Sequence, residues 1–156
     1  MGVVAKRSSM TFFSDNTSQY SHRVRIVLAE KGVTVDLIEA DAAHPPAELA
    51  DLNPYNNLVD SILHSRSDNV VKKATKELRE SLMGISPIFA EKPFFMSEEF
   101  TLVDCCLAPI LWRLPSLSID IRSSKQSKPL LAYMDSLFNR DSFQESLTEQ
   151  EREMRL

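Results

Sequence analysis

The stretch from Ser18 to Val33, SQYSHRVRIVLAEKGV, constrains the fold more than any other part of the chain, because it reads as one helix set between two strands. Before it, Met10 to Phe13 is a short apolar run with β-favouring residues, a first strand. Ser14-Asp15-Asn16-Thr17-Ser18 is a polar loop of the residue types that start helices. Val24, Val27 and Leu28 then recur at helical spacing, with Arg23, Arg25, Glu30 and Lys31 in other positions. Gly32 supplies the left-handed residue that ends a helix. Val33, Val35 and Leu37 alternate with Thr34, Asp36 and Ile38, which predicts a second strand with one apolar face. Pro45-Pro46 precedes a short helix over Ala47 to Leu52, closed by Asn53-Pro54. Strand, helix, strand, helix is the opening of a βαβ crossover unit.

The remaining 100 or so of the 156 residues read as helical. Val71, Thr75, Leu78, Leu82 and Ile85 recur at three- and four-residue spacing, and the Lys72–Glu80 charges between them form a solvated face. Pro87 is placed to kink this helix. Phe94-Phe95-Met96 is a connector of three large apolar groups, expected to pack on the core. Thr101-Leu102-Val103-Asp104 is a variant capping box: Thr101 caps a helix and Asp104 reaches back to the Thr101 amide, with Phe100 and Cys105 at the staple positions. Leu107, Ile110, Leu111 and Leu114 continue an almost wholly apolar helix containing Pro109 and Trp112. Leu130, Met134, Leu137 and Phe138 form the apolar face of a helix over Pro129 to Asn139, and Thr148-Glu149-Gln150-Glu151 opens a capped terminal helix.

Composition excludes several classes of function. A hydrophobic content of 43% suits an ordinary globular protein. The net charge of −4 leaves no basic footprint for direct nucleic-acid binding. No apolar run approaches a membrane span, and no apolar stretch follows the N-terminal charges as in a signal peptide. The two cysteines, Cys105 and Cys106, are adjacent, which gives neither a disulfide framework nor a zinc site, and a cytoplasmic, reduced protein is expected. His22 has no Asp or Cys at ligand spacing and is expected at the surface or packed in its loop.

The order of several motifs resembles one family. Tyr20-Ser21-His22-Arg23-Val24-Arg25 followed by Ala29-Glu30-Lys31-Gly32, then Phe94-Phe95-Met96-Ser97-Glu98-Glu99, Leu102-Val103-Asp104-Cys105 and the tail from Ser142 to Arg155 resemble the stringent starvation protein A family. These are bacterial, RNA polymerase-associated proteins of the glutathione-transferase-like superfamily. The resemblance covers the chain apart from Met1 to Ser8 and the junction at Asn56-Asn57. It implies an α/β plus all-α fold: a thioredoxin-like domain over residues 1–56, incomplete, and an all-helical domain over residues 57–156. It also implies a homodimer that binds RNA polymerase holoenzyme carrying the primary sigma factor, with no catalytic residue, cofactor or metal.

The same resemblance puts Ser18 where a superfamily enzyme carries the Cys or Ser that faces the sulfur of glutathione, with Tyr20 and Ser21 beside it. A helix start favours an anion, so Ser18 could hydrogen-bond a thiolate, the requirement of a glutathione transferase. The competing reading is that Ser18, Asp15 or Asn16 caps the helix, and it is preferred. Thr101 and Asp104 are likewise expected to serve folding. Between Asn56 and Asn57 the family's pattern breaks: on the order of 50 residues are missing, including those that grip the γ-glutamyl end of glutathione and the Pro-His-Pro surface patch. Either residues are omitted at this junction or the chain truly lacks them, and the bare strand edges of the second case favour the first.

Overall fold

The computed structural model describes residues 11–40 and 67–156. The helix predicted over Ala47 to Leu52 and the junction at Asn56-Asn57 lie outside the described residues.

Strand β1 (Thr11–Ser14) pairs in parallel with β2 (Asp36–Glu39), Thr11 opposite Asp36 and Ser14 opposite Glu39. Parallel neighbours need a crossover, and helix α1 (Gln19–Glu30) supplies it. β2 starts later than the alternation of Val33 and Val35 predicts. The reason is the helix stop: Gly32 sits at φ +60°, its N–H donates to Ala29 O (3.1 Å), and Val33 N–H donates to Leu28 O (3.0 Å). That pair of bonds is a Schellman motif, which commits Val33 to ending the helix. The predicted apolar face of β2 is not buried either; Leu37 and Ile38 are about half exposed.

The helical part begins with α2 (Asp68–Ile85), which buries Ala74, Leu78 and Leu82. Pro87 does not kink a long helix: α2 ends before it, and Pro87 opens the short α3 (Ile88–Glu91). α4 (Leu102–Trp112) runs through Pro109 to a 3-10 turn at Pro115–Leu117. α5 (Lys128–Phe138), α6 (Asp141–Ser146) and α7 (Glu149–Glu153) complete the order. The core gathers Leu78 and Leu82 from α2, Cys105, Ala108 and Leu111 from α4, and Leu130 and Leu137 from α5, with Phe143 from α6. Trp112 meets Phe138 and Phe143 edge-on, with centroids 5.0 and 5.2 Å away. Of the connector's three apolar residues, Phe94 packs edge-on to Phe100 and Phe95 lies 6.2 Å from Phe89. Met96 departs from the prediction. Phe94 and Ser97 exchange backbone bonds across a tight turn, so Met96 sits at its tip with φ +51° and is 68% exposed.

α1 lies against α4 and α6, which joins the strand-bearing part to the helical part. The face it presents is only partly the predicted one: Val27 packs against the core. Val24 is exposed, while Gln19, His22, Arg25 and Ile26 are buried. Those four share a face at helical spacing, so three of the side chains that meet the helical part are polar.

Candidate functional site at the start of the first helix

Asp15 and Ser18 shape the loop that leads into α1. The Asp15 carboxylate accepts from Thr17 N (2.7 Å), Thr17 Oγ1 (2.9 Å) and Ser18 N (2.9 Å), an Asx turn. Ser18 Oγ then accepts from Tyr20 N (3.2 Å) and Ser21 N (3.5 Å), which satisfies donors that every helix start leaves open. Ser21 Oγ accepts from Asp15 N (3.0 Å) and closes the loop on itself. No side-chain base bonds the Ser18 hydroxyl among the described residues.

Beneath the loop is a buried cluster that the sequence reading did not find. Glu151 is fully buried, and its Oε1 accepts from Arg25 Nη2 and Arg113 Nη2, both at 2.6 Å. Its Oε2 accepts from Thr148 N (3.0 Å), and Glu151 N donates to Thr148 Oγ1 (3.2 Å), so one carboxylate caps α7 and pairs with two guanidinium groups, offsetting one of their two charges. The remaining donors reach back to the loop. Arg25 Nη1 donates to Ser14 Oγ (2.6 Å) and Asp15 O (3.1 Å), and Arg113 Nη2 donates to Thr17 O (2.8 Å). Thr148 Oγ1 donates to Asn16 O (2.7 Å), so the C-terminal turn is bonded to the loop directly.

His22 corrects an expectation: it is fully buried, not at the surface. Arg113 Nη1 lies 3.0 Å from His22 Nδ1 and can only donate, so Nδ1 accepts. The proton therefore sits on Nε2, which donates to Ser146 Oγ (3.0 Å), and Ser146 Oγ donates to Phe143 O (2.6 Å). Burial first, then the charges of Arg113 and Arg25, lower the His22 pKa from 6.5 to about 2. A neutral imidazole with both nitrogens engaged is a structural bridge.

Asp104 is also fully buried, at the start of α4. Its Oδ2 accepts from Thr101 N (2.8 Å) and Thr101 Oγ1 (3.1 Å), and its Oδ1 from Phe95 N (3.0 Å) and Tyr133 OH (2.5 Å). Burial pushes the Tyr133 phenol upward, and its bond to Asp104 adds to the shift. Burial, Cys106 and the nearby carboxylates push the Cys105 thiol up to about 11, the opposite of a reactive cysteine. Among the described residues no group of three or more His, Cys, Asp or Glu is placed to hold a metal ion, and no helix is long and apolar enough to cross a membrane.

Known proteins carry the same pattern. The glutathione S-transferase C-terminal domain model matches residues 38–141, and the N-terminal domain model matches residues 12–58. A stringent starvation protein A homolog of Coxiella burnetii is 35% identical over 203 residues, covering 96% of this chain and 97% of that protein. The homolog of Pasteurella multocida is 36% identical over 195 residues, covering 91% of this chain and 92% of that protein. The chain belongs to the stringent starvation protein A family. Its fold is that of the glutathione transferases: a transferase from Methylobacillus flagellatus, with glutathione bound, matches 89% of this chain and 99% of its own at a TM-score of 0.70 and 18% identity. The family alignments run longer than the 156 residues of this chain while nearly spanning both partners, so the shortfall against the relatives is internal.

The cluster was partly legible. Thr148-x-x-Glu151 is a recognisable capping box, which assigns one carboxylate oxygen of Glu151. The other oxygen is not assigned by any local pattern, since Arg25 is 126 residues away and Arg113 is 38.

Proposed function

We propose that this protein is an RNA polymerase-associated regulator of transcription in starvation or stationary phase, acting through protein contacts with the holoenzyme that carries the primary sigma factor. The observation that carries this reading is the end-to-end similarity to relatives named stringent starvation protein A homologs. The start of α1 supports it. Ser18 serves as a helix cap, a vestige of the position used by superfamily enzymes, and Thr101 and Asp104 serve the folding of α4. In this reading the protein uses no catalytic residue or cofactor, works in the cytoplasm as a homodimer, and divides into domains near Asn56-Asn57. A glutathione transferase is the second reading, favoured by the transferase fold and by Ser18 at the N-terminus of α1.

Capture of holoenzyme on the immobilised full chain tests the proposal. Retention of core subunits together with the primary sigma factor is the expected result. Failure to retain them at near-physiological salt would overturn it.

A further inference from the structure

The two edges of the β1–β2 sheet are unlike. Among the described residues β1 pairs only with β2, so each strand has one open edge. β2 carries Asp36 and Glu39, both exposed, and charges of this kind keep an edge strand from adding another strand. β1 is Thr11-Phe12-Phe13-Ser14, with no charge and no proline along its length. The register says which groups its open edge offers. Ala40 N–H donates to Ser14 O (2.9 Å), and Ser14 lies opposite Glu39. In a parallel ladder a residue bonded in this way turns both its backbone groups toward its neighbour, and residues alternate along the strand. Phe12 and Ser14 therefore face β2, while the N–H and C=O groups of Thr11 and Phe13 face outward. Side chains alternate too. Arg25 of α1 donates to Ser14 Oγ (2.6 Å), which puts Ser14 on the face toward α1 and Phe13 on the other. On that second face Phe13 is 45% exposed, and Ile38, opposite it in the register, is 46% exposed.

We infer that β1 pairs with β1 of a second copy of this chain, antiparallel across a two-fold axis at Phe12, to make one four-stranded sheet in the order β2, β1, β1, β2. Thr11 of one copy then lies opposite Phe13 of the other, and the two-fold repeats the pair. Each pair exchanges both of its N–H···O=C bonds, so every outward backbone group of β1 is satisfied. The two Phe13 rings become diagonal neighbours on one face, within aromatic reach, and join the two Phe13–Ile38 patches into a continuous apolar surface. The occupant follows from the chemistry. An edge of main-chain donors and acceptors takes a strand. An uncharged strand meets its own copy without repulsion, whereas β2 paired with itself would bring Asp36 against Glu39. The inference gives the homodimer of the proposed function its surface, and it rests on that homodimer rather than on the polymerase.

Two measurements on the full chain test it. Sedimentation velocity across a wide range of concentration follows dimerisation in the wild type, in Phe13→Lys, and in Val33→Lys, which adds the same charge at an exposed valine outside the sheet. Amide hydrogen exchange in the wild type follows the N–H of Phe13 in monomer and dimer. The expected result is a dimer whose dissociation constant rises at least about tenfold in Phe13→Lys and little in Val33→Lys. The Phe13 amide should exchange at least about tenfold more slowly in the dimer, while the Phe12 and Ser14 amides, already turned to β2, change little. A monomer at every concentration would overturn both this surface and the homodimer. A dimer indifferent to Phe13→Lys, or a Phe13 amide that exchanges alike in monomer and dimer, would overturn the surface and leave the homodimer. Protection of Phe13 in the monomer would give the edge to the chain's own residues and overturn the inference as well. Holoenzyme capture tests the polymerase reading separately, and none of these outcomes decides it.

Discussion

α1 and α5 differ in length by one residue and each buries one face, but they bury opposite chemistry. α5 buries Leu130, Tyr133, Met134, Leu137 and Phe138. α1 buries Gln19, His22, Arg25 and Ile26. The face of α5 is favourable wherever it meets other apolar surface, so its role is written in its own residues. The face of α1 is favourable only where Glu151, Arg113 and Ser146 arrive to meet it. An apolar stripe tolerates many partners; a buried charge tolerates very few.

Removing one partner from each face should expose that difference. Glu151→Ala leaves two buried guanidinium groups without the carboxylate that pairs them, and it should cost about 3–5 kcal/mol in urea unfolding. Leu130→Ala removes a fully buried side chain from α5 and should cost about 2–4 kcal/mol, by the loss of apolar contact and the cavity left behind. If Glu151→Ala proves the milder of the two, the polar face does not hold the halves together and the comparison fails.

Acid should sharpen the contrast. His22 stays neutral in the folded chain down to about pH 2, whereas an unfolded histidine takes up its proton near 6.5. The unfolded state therefore binds more protons in that window. The stability His22 contributes is fully present above pH 6.5 and is lost as pH falls toward 2, by about 2 kcal/mol at about pH 5. Unfolding midpoints from pH 7.5 to 5 should fall more steeply in the wild type than in His22→Gln. Leu130→Ala should shift the whole curve without changing its slope.

The same contrast marks how far the sequence could be read. The crossover unit, the apolar faces of α2 and α5, and the capping residues at Thr101 and Thr148 are local signals, and the sequence carries them. Val24 misled for a physical reason: its spacing with Val27 and Leu28 is helical, and Val27 does pack against the core, but the tertiary partners that decide which face turns inward lie 88 or more residues from Arg25 in Arg113 and Glu151. His22 was misplaced on the same grounds. The late start of β2 had a local signal in Gly32, read as a helix stop but not as the Schellman motif that also takes Val33.

The central claim is that the start of α1 is a structural joint rather than a site of thiol chemistry, and Ser18→Ala tests it with the smallest expected change. Glutathione transfer to an aromatic halide, measured beside unfolding for the wild type and Ser18→Ala, gives the decisive reading. The account predicts no transfer by either protein and a loss of about 1 kcal/mol from the missing cap. Transfer by the wild type that collapses in Ser18→Ala, with stability unchanged, would contradict it.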